Sequence, residues 1–170
     1  GPADPPAPHH GQTATEARLD ALMPAEMAAR AAEVGVRKAG MGFVPVFVLG
    51  ILAGAFIALG AAFATTVSAG ASGVLPYGVI RLLAGLAFSL GLILVIVGGA
   101  ELFTGNNLLA MAWASRRIST GSVVRNWVIV DAGHLVGAVA TAVMVVAAGQ
   151  YAIGGGSVGA VALGTAATKV

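Results

Sequence analysis

Charged positions are so sparse along this chain that the few present divide it into segments. From residue 39 to residue 80 there is no charged side chain. The apolar run at 43–65 is long enough for one membrane span, since about 20 residues at about 1.5 Å each cross a roughly 30 Å hydrocarbon core. A second run begins after Pro76-Tyr77 and Arg81, stays uncharged over 82–100, breaks at 101–107 and resumes to about residue 114. A third covers 123–148, with Asp131 and His134 well inside it. Residues 150–170 are rich in Gly, Ala and Thr and too weakly hydrophobic to predict a fourth span, so they read as an extracytoplasmic tail, with Gly154-Gly155-Gly156 as a flexible turn.

Ahead of the first span, Leu19, Leu22, Met23, Met27, Ala31 and Val34 recur at helical spacing, while Arg18, Asp20, Glu26, Arg30 and Glu33 fall mostly on the other side. That pattern predicts an amphipathic helix over 16–39, lying on the membrane surface or against the bundle. Residues 1–15, rich in Pro, Ala and His, read as a disordered tail, and His9-His10 belongs to that tail with no metal assigned. The predicted fold is therefore all-α and polytopic. Its three spans fill a membrane repeat at 40–149, the second span is broken, and an amphipathic helix precedes the first.

Composition agrees with that pattern. Of 170 residues, 58% are hydrophobic and 9% charged, and mean hydropathy is +0.92. Soluble domains carry about 25% charged residues. A net charge of +2 is too small and scattered to imply nucleic acid, and without cysteine there are no disulfides, thiolate metal sites or cysteine nucleophile. No metal, cofactor or catalytic constellation is predicted, so an enzyme is not expected. Arg37, Lys38, Arg116, Arg117 and Arg125 flank one side of the spans, against Arg81 and Lys169 on the other. This bias predicts a cytoplasmic N-terminus. Gly50-x3-Gly54 and Gly133-x3-Gly137 mark places where helices can approach closely in lipid.

The break carries the functional signal. In Gly98-Gly-Ala-Glu-Leu-Phe-Thr-Gly-Asn-Asn107 an acid, a threonine and several glycines interrupt a hydrophobic segment. Irregular backbone at membrane depth is tolerated only inside protein or beside a cavity, and discontinuous helices point to transport sites. Each half-helix start offers unpaired N–H groups and a positive dipole end.

Gly-Ala-Glu101-Leu-Phe-Thr-Gly, then Arg117-Ile-Ser-x-Gly121, then Asn126-Trp127-x-x-Val130-x-x-Gly133-x-Leu-Val-Gly137, resembles the formate/nitrite transporter family. Pro24-Ala-Glu-Met27, Ala32-Glu-x-Gly35-Val and Phe88-Ser-Leu-Gly-Leu-Ile-Leu fit as well. Taken in order, these segments cover about residues 22–170, and the resemblance is nearest the formate-channel branch. It implies an aquaporin-like fold of two inverted three-span repeats, of which this chain matches the first; the second broken helix, with its central histidine, is not in the chain. It further implies a homopentamer in the lipid bilayer of a bacterial plasma membrane, with a pore in each protomer for small monovalent anions such as formate, nitrite or hydrosulfide. By the same resemblance Thr104 faces the substrate, Leu102, Phe103, Phe88 and Leu92 lie near hydrophobic constrictions, and Lys169 attracts anions. The family's asparagine is replaced by His134, and an aromatic pair by Asp131-Ala132.

These roles suit the residue types. Thr104 can cap the second half-helix and donate to an oxyanion, with the Gly105 N–H beside it. Phe88 and Leu92 are four apart and share a helix face. An apolar constriction disfavours a bare anion. Plainer readings stand beside these: Thr104 as a cap alone, the four apolar residues as packing, Lys169 as an exposed lysine. Glu101 and Asn106 are read as support for the broken helix, Glu101 by accepting hydrogen bonds from the broken backbone. Asp131 and His134, three apart, are read as a buried pair. Two other functions remain open: a pore-incompetent half-protein acting as an assembly element, and an aquaporin-like facilitator of neutral solutes.

Overall fold

A computed structural model describes residues 23–168. All regular structure among them is helical: α1 Pro24–Ala39, α2 Phe43–Ser68, α3 Tyr77–Val97, α4 Phe103–Asn106, α5 Leu109–Ala114, α6 Thr120–Ala147 and α7 Ser157–Ala167, with a 3-10 turn at Gln150–Ala152. Helices α2, α3 and α6 are long and apolar enough to cross a membrane, with 26, 21 and 28 residues. At about 1.5 Å per residue the shortest, α3, spans about 32 Å. Most of its large side chains are exposed, Ile96 and Val97 to 71% and 81%. That exposure suits lipid or further protein around it, not water.

Helix α2 is the axis of the unit and packs on both α6 and α3. The two small-residue motifs meet each other. A Cβ built on Gly54 would collide with the His134 carbonyl oxygen, and one on Gly137 with the Ile51 carbonyl oxygen. A Cβ on Gly133 would sit 2.6 Å from the Phe47 carbonyl. Helices α2 and α3 use a second glycine pair, where Gly60 would place its Cβ 3.0 Å from the Gly91 Cα. Lipid-immersed helices gain little from apolar burial, so such close backbone approach is their main source of packing. Val46, Ile129 and Val130 form the small buried core, with Met41, Phe47 and Phe103 packed against it.

Helix α1, predicted to lie on the membrane surface or against the bundle, packs on α5 through Ala32 and Gly35, while Met27 of its apolar stripe stays 58% exposed. The reason is distance: a Cβ on Gly35 would lie 2.9 Å from the Ala112 Cβ, an approach that small residues permit and methionine does not. Leu19 and Leu22 lie outside the described residues. Two expectations change. The tail expected after the third span instead holds the 3-10 turn and α7, which packs beside α2. The Gln150 amide donates to the Thr66 hydroxyl at 2.7 Å, fastening that turn. Gly154, Gly155 and Gly156 all have positive φ, which reverses the chain sharply into α7. Finally, the break comes earlier than 101–107: α3 ends at Val97, and helix resumes at Phe103.

The candidate pore site at the helix break

The break is built so that few backbone groups go unpaired. Gly99 adopts φ +62, and the Gly99 and Ala100 N–H groups donate back to the Ile96 and Val95 carbonyls at 3.2 and 3.0 Å. This is a Schellman ending, in which glycine supplies the left-handed residue. The Glu101 N–H then crosses to the Leu49 carbonyl of α2 at 3.2 Å. Leu102 is extended, and the Asn106 N–H donates to its carbonyl at 3.0 Å as α4 begins. The first N–H groups of α4, on Phe103, Thr104 and Gly105, precede that bond and have no turn behind them to accept.

A polar network locks this break to the rest of the fold. The Lys38 ammonium, at the end of α1, donates to the Glu101 carboxylate and to the Asn106 side-chain oxygen, each at 2.8 Å. The Asn106 amide donates to Asn126 Oδ1 on α6 at 2.9 Å, and Asn126 Nδ2 returns to the Lys38 carbonyl at 3.4 Å. The Trp127 indole N–H donates to the Asn106 carbonyl at 3.1 Å, and its ring lies 5.9 Å from that of Phe103. Glu101, Asn106 and Asn126 are buried at 6%, 0% and 2% exposure. Buried polar groups of this kind are stable only when mutually satisfied.

The structure brings Glu101, Leu102, Phe103, Thr104, Gly105 and Asn106 together at the break. Thr104 and Gly105 are exposed there, Leu102 and Phe103 half-buried. Thr104 does not cap the half-helix: Leu102 occupies the N-cap position, and a threonine two residues further on is already inside the first turn. Its hydroxyl has no hydrogen-bond partner among the described residues. Glu101 does not accept from the broken backbone; its partner is the Lys38 ammonium, while the loop N–H groups turn back to α3 and α2. Phe103 packs into the core and against Trp127. Phe88 and Leu92 lie exposed on α3, and Phe88 lines a groove of about 470 Å³ between α2, α3 and α7. Lys169 lies outside the described residues.

Asp131 and His134 do not pair. Gly133 and Gly137 mark the α6 face that meets α2, and Asp131, two residues before Gly133, points about 200° away and is exposed. His134 Nδ1 is buried with no partner among the described residues. Lys38 and Asn126 escaped the sequence reading as site residues. Lys38 counts there only towards the charge bias, although a lysine at the edge of an apolar run is a fair signal in a chain with two acids, Glu101 and Asp131, inside such runs. Asn126-Trp127 was visible only as a motif.

The model of the formate/nitrite transporter family matches residues 25–170. The chain is 42% identical over 152 residues to the formate channel FocA of Escherichia coli strain K12, covering 89% of this chain and 53% of that protein. With the formate channel FocA of Haemophilus influenzae it shares 38% identity over 150 residues, 88% of this chain and 52% of the relative. Among solved structures, a pentameric formate channel with formate bound superposes with a TM-score of 0.67 at 43% identity, over 72% of this chain and 48% of the other. The chain spans about half the length of the curated relatives it matches.

Proposed function

This chain belongs to the formate/nitrite transporter family, and on that premise we propose that it supplies one three-span half of a pore for small monovalent anions, formate first among them, with nitrite and hydrosulfide in the same class. The observation that carries the reading is the break itself. A membrane helix stops at Val97 and restarts at Phe103, held by buried polar contacts on its inner side. Its other side leaves Thr104 and Gly105 exposed at the helix start. A hydroxyl donor and free N–H groups at a positive dipole end suit an oxyanion. Phe88 and Leu92 form the apolar gate on the same pathway, and Leu102 and Phe103 close it from the break. Carriage through that gate favours the anion after it picks up a proton, because an unpaired charge is expensive to bury.

The chain acts as a transporter, not an enzyme. It assembles as a homopentamer, as the name of the solved relative says of that protein, with the rest of each pore from sequence matching the other half of the relatives. The end bearing Arg37, Lys38 and Arg125, where the Arg125 guanidinium reaches the Met41 carbonyl at 3.4 Å, faces the cytoplasm. Lys169 serves as an anion attractor.

The test is uptake of labelled formate and nitrite into vesicles holding the full-length protein and its Thr104→Ala variant. A marked fall in uptake with pentamer retained is expected. Unchanged uptake would sink the mechanism, and flux of water or glycerol without formate would favour a neutral-solute facilitator.

A further inference from the structure

Arg81 has so far served only in the charge count. It stands in the first turns of α3, where it is exposed, and it lines the same groove of about 470 Å³ as Phe88. The groove also carries Thr65, Ser68 and Ser72 from the end of α2 and the turn after it, with Thr165 from α7. Among the described residues no carboxylate lies in salt-bridge range of Arg81. The four acids described are Glu26, Glu33, Glu101 and Asp131, on α1, at the break and in mid-α6. Thr65, Ser68 and Thr165 spend their hydroxyl protons on the Ala61, Ala64 and Val161 carbonyls of their own helices, so the donors left to an anion in this groove are the Arg81 guanidinium and the hydroxyls of Ser72 and Tyr77.

Its position on α3 gives the direction. Arg81 and Phe88 are seven residues apart, close to two full turns, so they share a stripe and lie about 10 Å apart along the axis. Leu92 continues the same stripe one turn further. Any path that passes Phe88 and Leu92 on this face passes Arg81 first.

We propose that Arg81 is an anion-collecting residue at the mouth of the pore, drawing a small monovalent carboxylate or nitrite into this groove ahead of the Phe88 gate. The inference rests on the transport reading above. Arg81 acts at long range on local concentration, so its effect falls as salt screens it. One unit charge at about 10 Å changes local anion concentration about twofold at the dielectric of water and about 17-fold at an effective value near 20, the latter falling to about sevenfold once screening at about 0.01 M salt is counted.

The experiment uses the full-length protein in vesicles, with labelled formate well below saturation, at about 0.01 M and about 1 M ionic strength. Arg81→Gln is expected to lower uptake about two- to sevenfold at low salt and to match the unsubstituted protein at high salt. Arg81→Lys restores the low-salt rate. Ser72→Glu, at an exposed turn position that tolerates change, lowers uptake at low salt alone, so the proposal remains testable if Arg81→Gln fails to assemble. Equal uptake at low salt in Arg81→Gln and the unsubstituted protein overturns the proposal. So does an equal loss at both salt concentrations, which marks a structural or headgroup-anchoring arginine. A lack of formate uptake by the unsubstituted protein at either salt concentration is a different result, and it defeats the transport reading itself.

Discussion

Removing the Lys38 ammonium should cost far more than removing both partners of its ion pair. Lys38→Met takes away two hydrogen bonds of 2.8 Å at once and leaves the Glu101 carboxylate, 6% exposed, without a cation. Breaking one side of a buried pair costs about 3–5 kcal/mol, because the surviving charge is stranded. The Asn106 oxygen, fully buried, loses its donor as well, which adds about 1 kcal/mol. Glu101→Gln keeps an acceptor for Lys38 and should cost only about 1–2 kcal/mol. The double variant has no stranded charge, and its new amide can donate to Asn106, so about 1–2 kcal/mol is expected again. The cycle therefore carries a coupling of about 4–6 kcal/mol, most of it desolvation. Reversible unfolding of the full-length protein in mixed micelles reads all four corners. If the two single losses add to the double within about 0.5 kcal/mol, the pair is not coupled, and the account of how the break is held is wrong.

Two contrasts follow from the same geometry. Gly137→Ala should weaken folding by about 2–4 kcal/mol, since its Cβ would collide with the Ile51 carbonyl oxygen of a neighbouring helix, whereas Gly105→Ala meets nothing within 4 Å and should leave stability within about 0.5 kcal/mol. Thermal midpoints of the two variants, taken with formate uptake, separate a packing glycine from one beside the proposed substrate path. If Phe88 forms the proposed apolar gate, Phe88→Ala, on an exposed face of α3, should leave assembly intact and raise formate flux at neutral pH, where the anion predominates. Unchanged or reduced flux in a normally assembled variant would remove Phe88 from the gate.

The sequence by itself determined what depends on composition and local spacing. Long uncharged runs require bilayer-spanning helices, because their backbone must bond to itself. Glu101, with the glycines and threonine around it, requires a break in the second span, because an acid and turn-forming residues do not continue an apolar helix. The start of that break just after Val97, on the left-handed Gly99, was set only by the fold. The two small-residue motifs announced close helix contacts, yet only the fold set Gly50 and Gly54 of α2 against Gly133 and Gly137 of α6. Distance along the chain hid more. Lys38 and Glu101 are 63 residues apart, and no local pattern links them. Asn126 joins that network from 20 residues beyond Asn106. Spacing also misled where helix rotation decides: Asp131 and His134 are near on paper, but the α2 contact turns Asp131 outward and draws the backbone of His134 inward. The same holds for Thr104, whose cap role depended on a helix start that the structure sets at Phe103. Helix and span follow from the chemistry of each residue and its near neighbours, whereas the site depends on which faces meet, and only packing among helices fixes that.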